Sequence, residues 1–193
     1  MSTTANSMAV TRTGIPSAKL GMWLFLASEV MFFAGLLGAY VVLRAGTAWP
    51  HPADELNVPA AALNTFILLS SSMTMALSVA ATHNKDLSKL RLFLLATILL
   101  GIAFLCVKGY EYSVKFHHGH FPSTSLFFGT YFTLTGIHGI HVLAGIIANF
   151  WVLSLTYKPG FLERRADIVE TSGLYWHFVD VVWIFLFPMV YLI

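Results

Sequence analysis

Long apolar stretches that hold few formal charges divide this chain into five, with polar clusters and prolines between them. Windows of this kind locate membrane-crossing helices. Between Lys19 and Arg44 the only charge is Glu29, which predicts a first span over about 18–44. No charge occurs from Leu56 to Asn84, and with Pro59 near its start the second span covers about 60–83. The third covers about 90–114 and carries Lys108 and Glu111 near its end. From Phe116 to Tyr157 the chain is again free of charge, and Pro122 sets the start of a fourth span, about 125–157. A helix that long must tilt or protrude. The fifth, about 170–193, places His177 and Asp180 within the apolar string YWHFVDVVWIF, Tyr175 to Phe185.

The predicted fold is therefore all-α: a polytopic membrane protein with five transmembrane helices, residues 18–193 forming a single bundle behind a polar tail, 1–17. An odd number of spans puts the termini on opposite sides. The tail and the even-numbered connections hold Arg12, Lys19, Lys85, Lys89, Arg91, Lys158, Arg164 and Arg165, whereas the odd-numbered ones hold Arg44 and Lys115. Eight basic residues against two predict a cytoplasmic N-terminus and an outside C-terminus. Small residues at close-packing spacing predict tight helix contacts: Ala34 with Gly38, Thr135 with Gly139, His141 with Gly145.

Composition narrows the class. Hydrophobic residues make up 57% of the chain and charged residues 10%, with a mean hydropathy of +0.74, which excludes a soluble domain. A formal charge of +2 gives no reason to expect a nucleic-acid partner. The one cysteine, Cys106, forms no internal disulfide, thiolate cluster or CxxCH haem attachment, and reads as a small core residue. The tail, 1–17, has no apolar core of a secretory signal peptide.

Six ionisable residues within the spans are the candidate functional groups: Glu29, Glu111, His138, His141, His177 and Asp180. A charge near the bilayer centre costs roughly 2.5–3.5 kcal/mol on insertion scales, so such residues are functional candidates by default. Glu29 lies ten residues beyond Lys19, about 15 Å deeper along a helix. It is either an acid hydrogen-bonded to a neighbouring helix or a group linked to protons or lipid. Lys108 and Glu111, three apart, read as a local ion pair that partly snorkels to the interface. His138 and His141, in TGIHGIHV, share a helix face, and interhelical hydrogen bonding is their simplest reading. His177 and Asp180 also share a face, which serves a partner helix, a proton, a lipid headgroup or a metal. The same four residues admit a second reading, an intramembrane metal site with nitrogen and oxygen ligands. His117, His118 and His120 read as a solvated loop, and Trp23, Trp49 and Tyr157 as an aromatic belt.

Four strings in order, GMWLFLASEVMFF (Gly21 to Phe33), KGYEY (Lys108 to Tyr112), TGIHGIHVLAG (Thr135 to Gly145) and YWHFVDVVWIF, resemble subunit III of haem-copper terminal oxidases of the cytochrome c oxidase type. The resemblance extends from about Gly21 to Ile193. It implies a non-redox accessory subunit in a bacterial cytoplasmic (inner) membrane, with no catalytic residue and no metal of its own. Haems and copper would sit in its partners, the catalytic subunit I and subunit II, with a larger respiratory supercomplex beyond them. It also implies phospholipid held between the helices, support of proton uptake, and protection of the catalytic subunit during turnover. Seven-helix members carry two further N-terminal helices that wall the lipid cleft. Here the cleft is expected to be open on that side or closed by another subunit. The Ser28–Glu29 pair resembles the cytochrome c type, while a quinol oxidase or a relative linked to nitric oxide reductase stays open, with an intramembrane metalloenzyme as the distant alternative.

Overall fold

A computed structural model describes residues 17–47 and 49–193. The tail predicted over 1–17, Arg12 included, lies outside the described residues, Ser17 apart. The chain forms helices α1 (Ser17–Gly46), α2 (Pro52–Glu55), α3 (Val58–His83), α4 (Leu87–His117), α5 (Leu126–Leu155), α6 (Phe161–Arg164) and α7 (Ala166–Phe187), followed by a wide π-turn (Pro188–Leu192). Five of them are long and apolar enough to cross a membrane, and no strand occurs among the described residues.

Helix starts follow from local chemistry. The side chains of Asn57, Asp86 and Ser125 accept hydrogen bonds from the backbone N–H groups of Ala60, Lys89 and Phe128, at 3.1, 3.1 and 3.2 Å. Each satisfies a donor that the first helical turn leaves free. At Asp86 the Lys89 N–H, helped by the Lys89 ammonium, holds the carboxyl below its usual range, so this cap stays ionised at neutral pH. The tight α3–α4 turn places Lys85 in the left-handed region, with φ 55°, and α3 and α4 share the most extensive helix contact. Pro188 has no N–H to continue α7, and the chain widens into the π-turn there.

α7 is the axis of the bundle. Half of its apolar window (50%) is buried, against 17% for α1. It packs on α3, α5 and α1, and three of its side chains bond to α3: Trp176 to Ser71 (3.1 Å), His177 to Ser72 (2.7 Å) and Trp183 to Thr65 (3.0 Å). Ser172 donates to Asn149 of α5 at 2.8 Å. Such bonds contribute about 0.6 kcal/mol each in a bilayer, so they fix register more than they add stability. α1 stands apart, touching chiefly α7 and, less, α5.

Close approach is concentrated at Trp176. A Cβ at Gly145 would stand 2.8 Å from its ring, and one at Gly101 also 2.8 Å. Gly145→Ala is expected to destabilise the fold by about 1–3 kcal/mol through overpacking, read as a lower thermal unfolding midpoint. The other two small-residue pairs behave differently. A Cβ at Gly38 or Gly139 would meet nothing within 4 Å, because these positions lie on open faces of α1 and α5. Cys106 is also exposed, on the face of α4 away from Phe104 and Lys108, and is not a core residue.

Candidate functional site

The six ionisable residues do not converge on one point. Glu29 and His141 join α1 to α5, with Glu29 Oε2 3.2 Å from His141 Nε2. His141 Nδ1 is 2.9 Å from the Ile137 carbonyl, so that nitrogen carries a proton and donates it. Nε2 facing a carboxylate as a bare lone pair would repel it. One proton therefore occupies the Glu29–His141 gap, bound to the carboxyl or to the imidazole. Phe33 sets its edge against the His141 ring at 5.1 Å, and the Tyr175 hydroxyl donates to the His141 carbonyl at 3.1 Å.

Glu111 belongs to a second cluster. Lys108 Nζ donates to Glu111 Oε2 at 3.0 Å, and the Tyr131 hydroxyl donates to Glu111 Oε1 at 2.8 Å. The Tyr191 hydroxyl also donates to Glu111 at 3.1 Å and meets Lys108. The Lys108 ammonium stands 5.0–5.6 Å from the ring centres of Tyr191, Trp183, Tyr131 and Tyr112. The pair expected to snorkel is instead enclosed, with side chains 8% and 5% exposed. Tyrosines from α5 and from the π-turn close over it.

The histidines of α5 part company. Residues three apart differ by about 60° around a helix, enough to turn His141 to α1 and His138 to the interior. There the His138 ring lies 5.0 Å from Trp183 and 5.8 Å from Phe104, and neither nitrogen has a partner. His177 bonds Ser72, while both carboxyl oxygens of Asp180, 3% exposed, are unpartnered. Among the described residues no group of three His, Cys, Asp or Glu side chains is placed to hold a metal, so the geometry does not assemble the metal-site reading.

Several partners have no signal in the sequence. Ser72 is one hydroxyl in a run of three, Ser70 to Ser72, and Tyr191 lies beyond Pro188, where helix periodicity is lost. Lys19 and His83 both pair with Glu170, His83 at 3.4 Å. Trp49, assigned to the aromatic belt, packs edge-on against Tyr40 and Phe127 at 5.5 Å each, while Trp23 and Tyr157 are exposed. A cleft of about 420 Å³ opens between α1, α5 and α7, lined by Met22, Phe25, Ala144, Ala148 and Trp151 among others. Its apolar wall and the Thr171, Ser172 and Tyr175 hydroxyls suit an acyl chain with a polar end.

Residues 3–193 match the family described as cytochrome c oxidase subunit III. The chain is 41% identical over 178 residues to cytochrome c oxidase subunit 3 of Corynebacterium diphtheriae, covering 90% of this chain and 87% of that protein. It is 39% identical over 177 residues to cytochrome c oxidase subunit 3 of Bacillus sp. strain PS3, covering 90% and 84%. The protein of the same name from Alkalihalophilus pseudofirmus is 37% identical over 177 residues, covering 90% and 85%.

Proposed function

The chain belongs to the cytochrome c oxidase subunit III family, and from that premise we propose that it is the non-redox accessory subunit of a proton-pumping oxidase of a bacterial cytoplasmic membrane. Its place is beside the catalytic subunit I and subunit II, which hold the haems and copper and reduce oxygen with electrons from cytochrome c. Eight basic residues on one side of the spans against two on the other support a cytoplasmic N-terminus. The thin cover on α1 leaves Trp23, Met31 and Val42 exposed for neighbouring subunits or lipid. The cleft between α1, α5 and α7 takes phospholipid.

One observation carries the functional part of this reading: the 3.2 Å contact between Glu29 Oε2 and His141 Nε2, at the junction of the loosely held α1 with α5. A carboxyl that trades a proton with an imidazole in the membrane supports proton delivery to the neighbour. It also gives α1 a polar anchor. Glu29→Ala is expected to leave oxygen reduction present while slowing proton uptake and shortening the catalytic lifetime of the complex. Glu29→Gln separates the two contributions, because the amide keeps a hydrogen bond to His141 and cannot give up a proton. Both variants should lose proton-uptake support, and the amide should keep the lifetime closer to normal. Unaltered uptake and lifetime in Glu29→Ala would remove the role.

A further inference from the structure

A pocket of about 340 Å³ between α1, α3 and α7 holds chemistry that neither the Glu29–His141 contact nor the Lys108–Glu111 pair uses. It opens at the end of the bundle where α1 and α7 begin. Lys19, His83 and Glu170 surround its mouth, and His177 lies deeper in its lining. The mouth is an ion-pair group centred on Glu170. From the pocket, His177 leads inward: its Nδ1 is 2.7 Å from Ser72 Oγ. Asp180 lies one helical turn further along α7 on the face of His177, beside the Ser72 hydroxyl but without a formed hydrogen bond to it.

Asp180 is the end of this line. It is 3% exposed, and neither carboxyl oxygen has a hydrogen-bond partner. Charged groups on the packed helices are engaged elsewhere: Lys19 with Glu170, Lys108 with Glu111, and His141 of α5 with Glu29 of α1. α3 offers Ser72, with His83 at the mouth, and α7 offers His177 and Glu170. A bare carboxylate so enclosed, without a cation, is among the costliest groups to bury. A buried acid with one polar route to water is a place to keep a proton.

We propose that this pocket is a proton inlet that ends at Asp180, which takes up and returns one proton through Ser72 and His177. In loading, hydronium at the Glu170 end gives a proton to the free ring nitrogen of His177 and leaves as water. The Nδ1 proton of His177 passes to Ser72 Oγ, and the Ser72 hydroxyl proton passes to the Asp180 carboxylate. Ser72 and His177 end with the atoms and charge they began with, the His177 proton having moved to its other nitrogen. Asp180 has gained one proton and lost its negative charge. Release runs the same transfers backwards. His138 lies deeper in the bundle, and it is bounded by Phe104 and Trp183 with no partner on either nitrogen. The path therefore stops at Asp180, and the site stores a proton without conducting it across the membrane. This goes beyond the role proposed for Glu29, which uses different residues.

The test is infrared spectroscopy of the assembled complex containing this chain while the buffer is changed from H₂O to D₂O. A buried carboxylic acid gives a carbonyl band that shifts on deuteration. One such band should vanish in Asp180→Asn and persist in Glu29→Gln. In His177→Phe it should remain, with its deuteration slowed on the order of 10²-fold, the scale of a positioned proton carrier. An Asp180→Asn spectrum like that of the unaltered complex overturns the proposal, and so does an unchanged deuteration rate in His177→Phe. Should Asp180→Asn fail to assemble, Asp180→Glu takes its place: the band must move in frequency, and a stationary band overturns the proposal. None of these readouts uses turnover, so they are distinct from the lifetime measurement on Glu29.

Discussion

Glu111→Ala is expected to destabilise the protein by about 3–5 kcal/mol, the scale of breaking a buried ion pair from one side. The cost arises at Lys108 and only secondarily from lost contacts of the carboxylate. Its ammonium is enclosed by Tyr112, Tyr131, Trp183 and Tyr191, and among the described residues Glu111, with Oε2 at 3.0 Å, is the counter-charge it meets. The four rings attract the cation, each by up to about 2 kcal/mol when desolvated, yet none carries a net charge to balance it. The Tyr131 and Tyr191 hydroxyls, which now donate to the carboxylate, would lose their acceptor as well. Removing both charges is milder, because a neutral pair leaves no buried ion behind. Lys108→Met with Glu111→Gln should recover most of the loss, and a double-mutant cycle isolates the coupling. Thermal unfolding of the purified complex reads Glu111→Ala, the two single variants Lys108→Met and Glu111→Gln, and their combination. If Glu111→Ala melts with the unaltered protein, the aromatic cage alone sustains Lys108 and the pair has no structural role.

That ion pair also marks what could be read from the chain in advance. Lys108 and Glu111 were recognisable as partners because i,i+3 residues on one helix must meet. Their enclosure was not, since it depends on Tyr131 and Tyr191, 60 residues apart in the chain yet bonded at 3.2 Å. The five spans were legible because absence of charge over a membrane's width is a strong signal. Where the windows erred, charge was the reason. α7 begins at Ala166, ahead of the predicted 170, and takes Asp167 and Glu170 into its first turns. Acidic groups favour a helix N-terminus, and Glu170 is further held by Lys19. α4 runs on to His117 because Lys115 bends back to donate to the Glu55 carbonyl at 2.8 Å. Among the other candidate residues, sequence named the ionisable groups within the spans and not their partners. Glu29 and His141 are 112 residues apart, and no local pattern specifies which flank of α5 faces α1.

The polar groups inside the bundle differ in how completely they are bonded. The enclosed pair Lys108–Glu111 and the Ser172–Asn149 bond hold helices in register, although Asn149 Nδ2 is left without a partner among the described residues. Groups with an unspent valence are different. Glu29 and His141 meet at 3.2 Å, and neither carboxyl oxygen of Asp180 is hydrogen-bonded among the described residues. The Lys108–Glu111 cluster lies towards the end where α4 finishes, beside a pocket that Glu111 helps to line.

Trp176→Ala should lower stability by about 3–5 kcal/mol, as expected for emptying a fully buried tryptophan. The indole is 0% exposed and bonds Ser71 of α3 through Nε1 at 3.1 Å. Its ring fills the space left by Gly101 of α4 and Gly145 of α5. One side chain thus joins four helices, and its loss opens a cavity where all four meet. The glycines offer a test with a change of sign. In the unaltered chain a methyl group at Gly145 would crowd the ring at 2.8 Å and destabilise. In a Trp176→Ala background the same methyl would enter the vacated space and regain part of the lost packing. Gly145→Ala should therefore be unfavourable alone and neutral or favourable beside Trp176→Ala. Thermal midpoints of the two single variants and the double variant measure this coupling. Additive losses would mean that the glycine is needed for α5 to approach α7 whatever stands at residue 176.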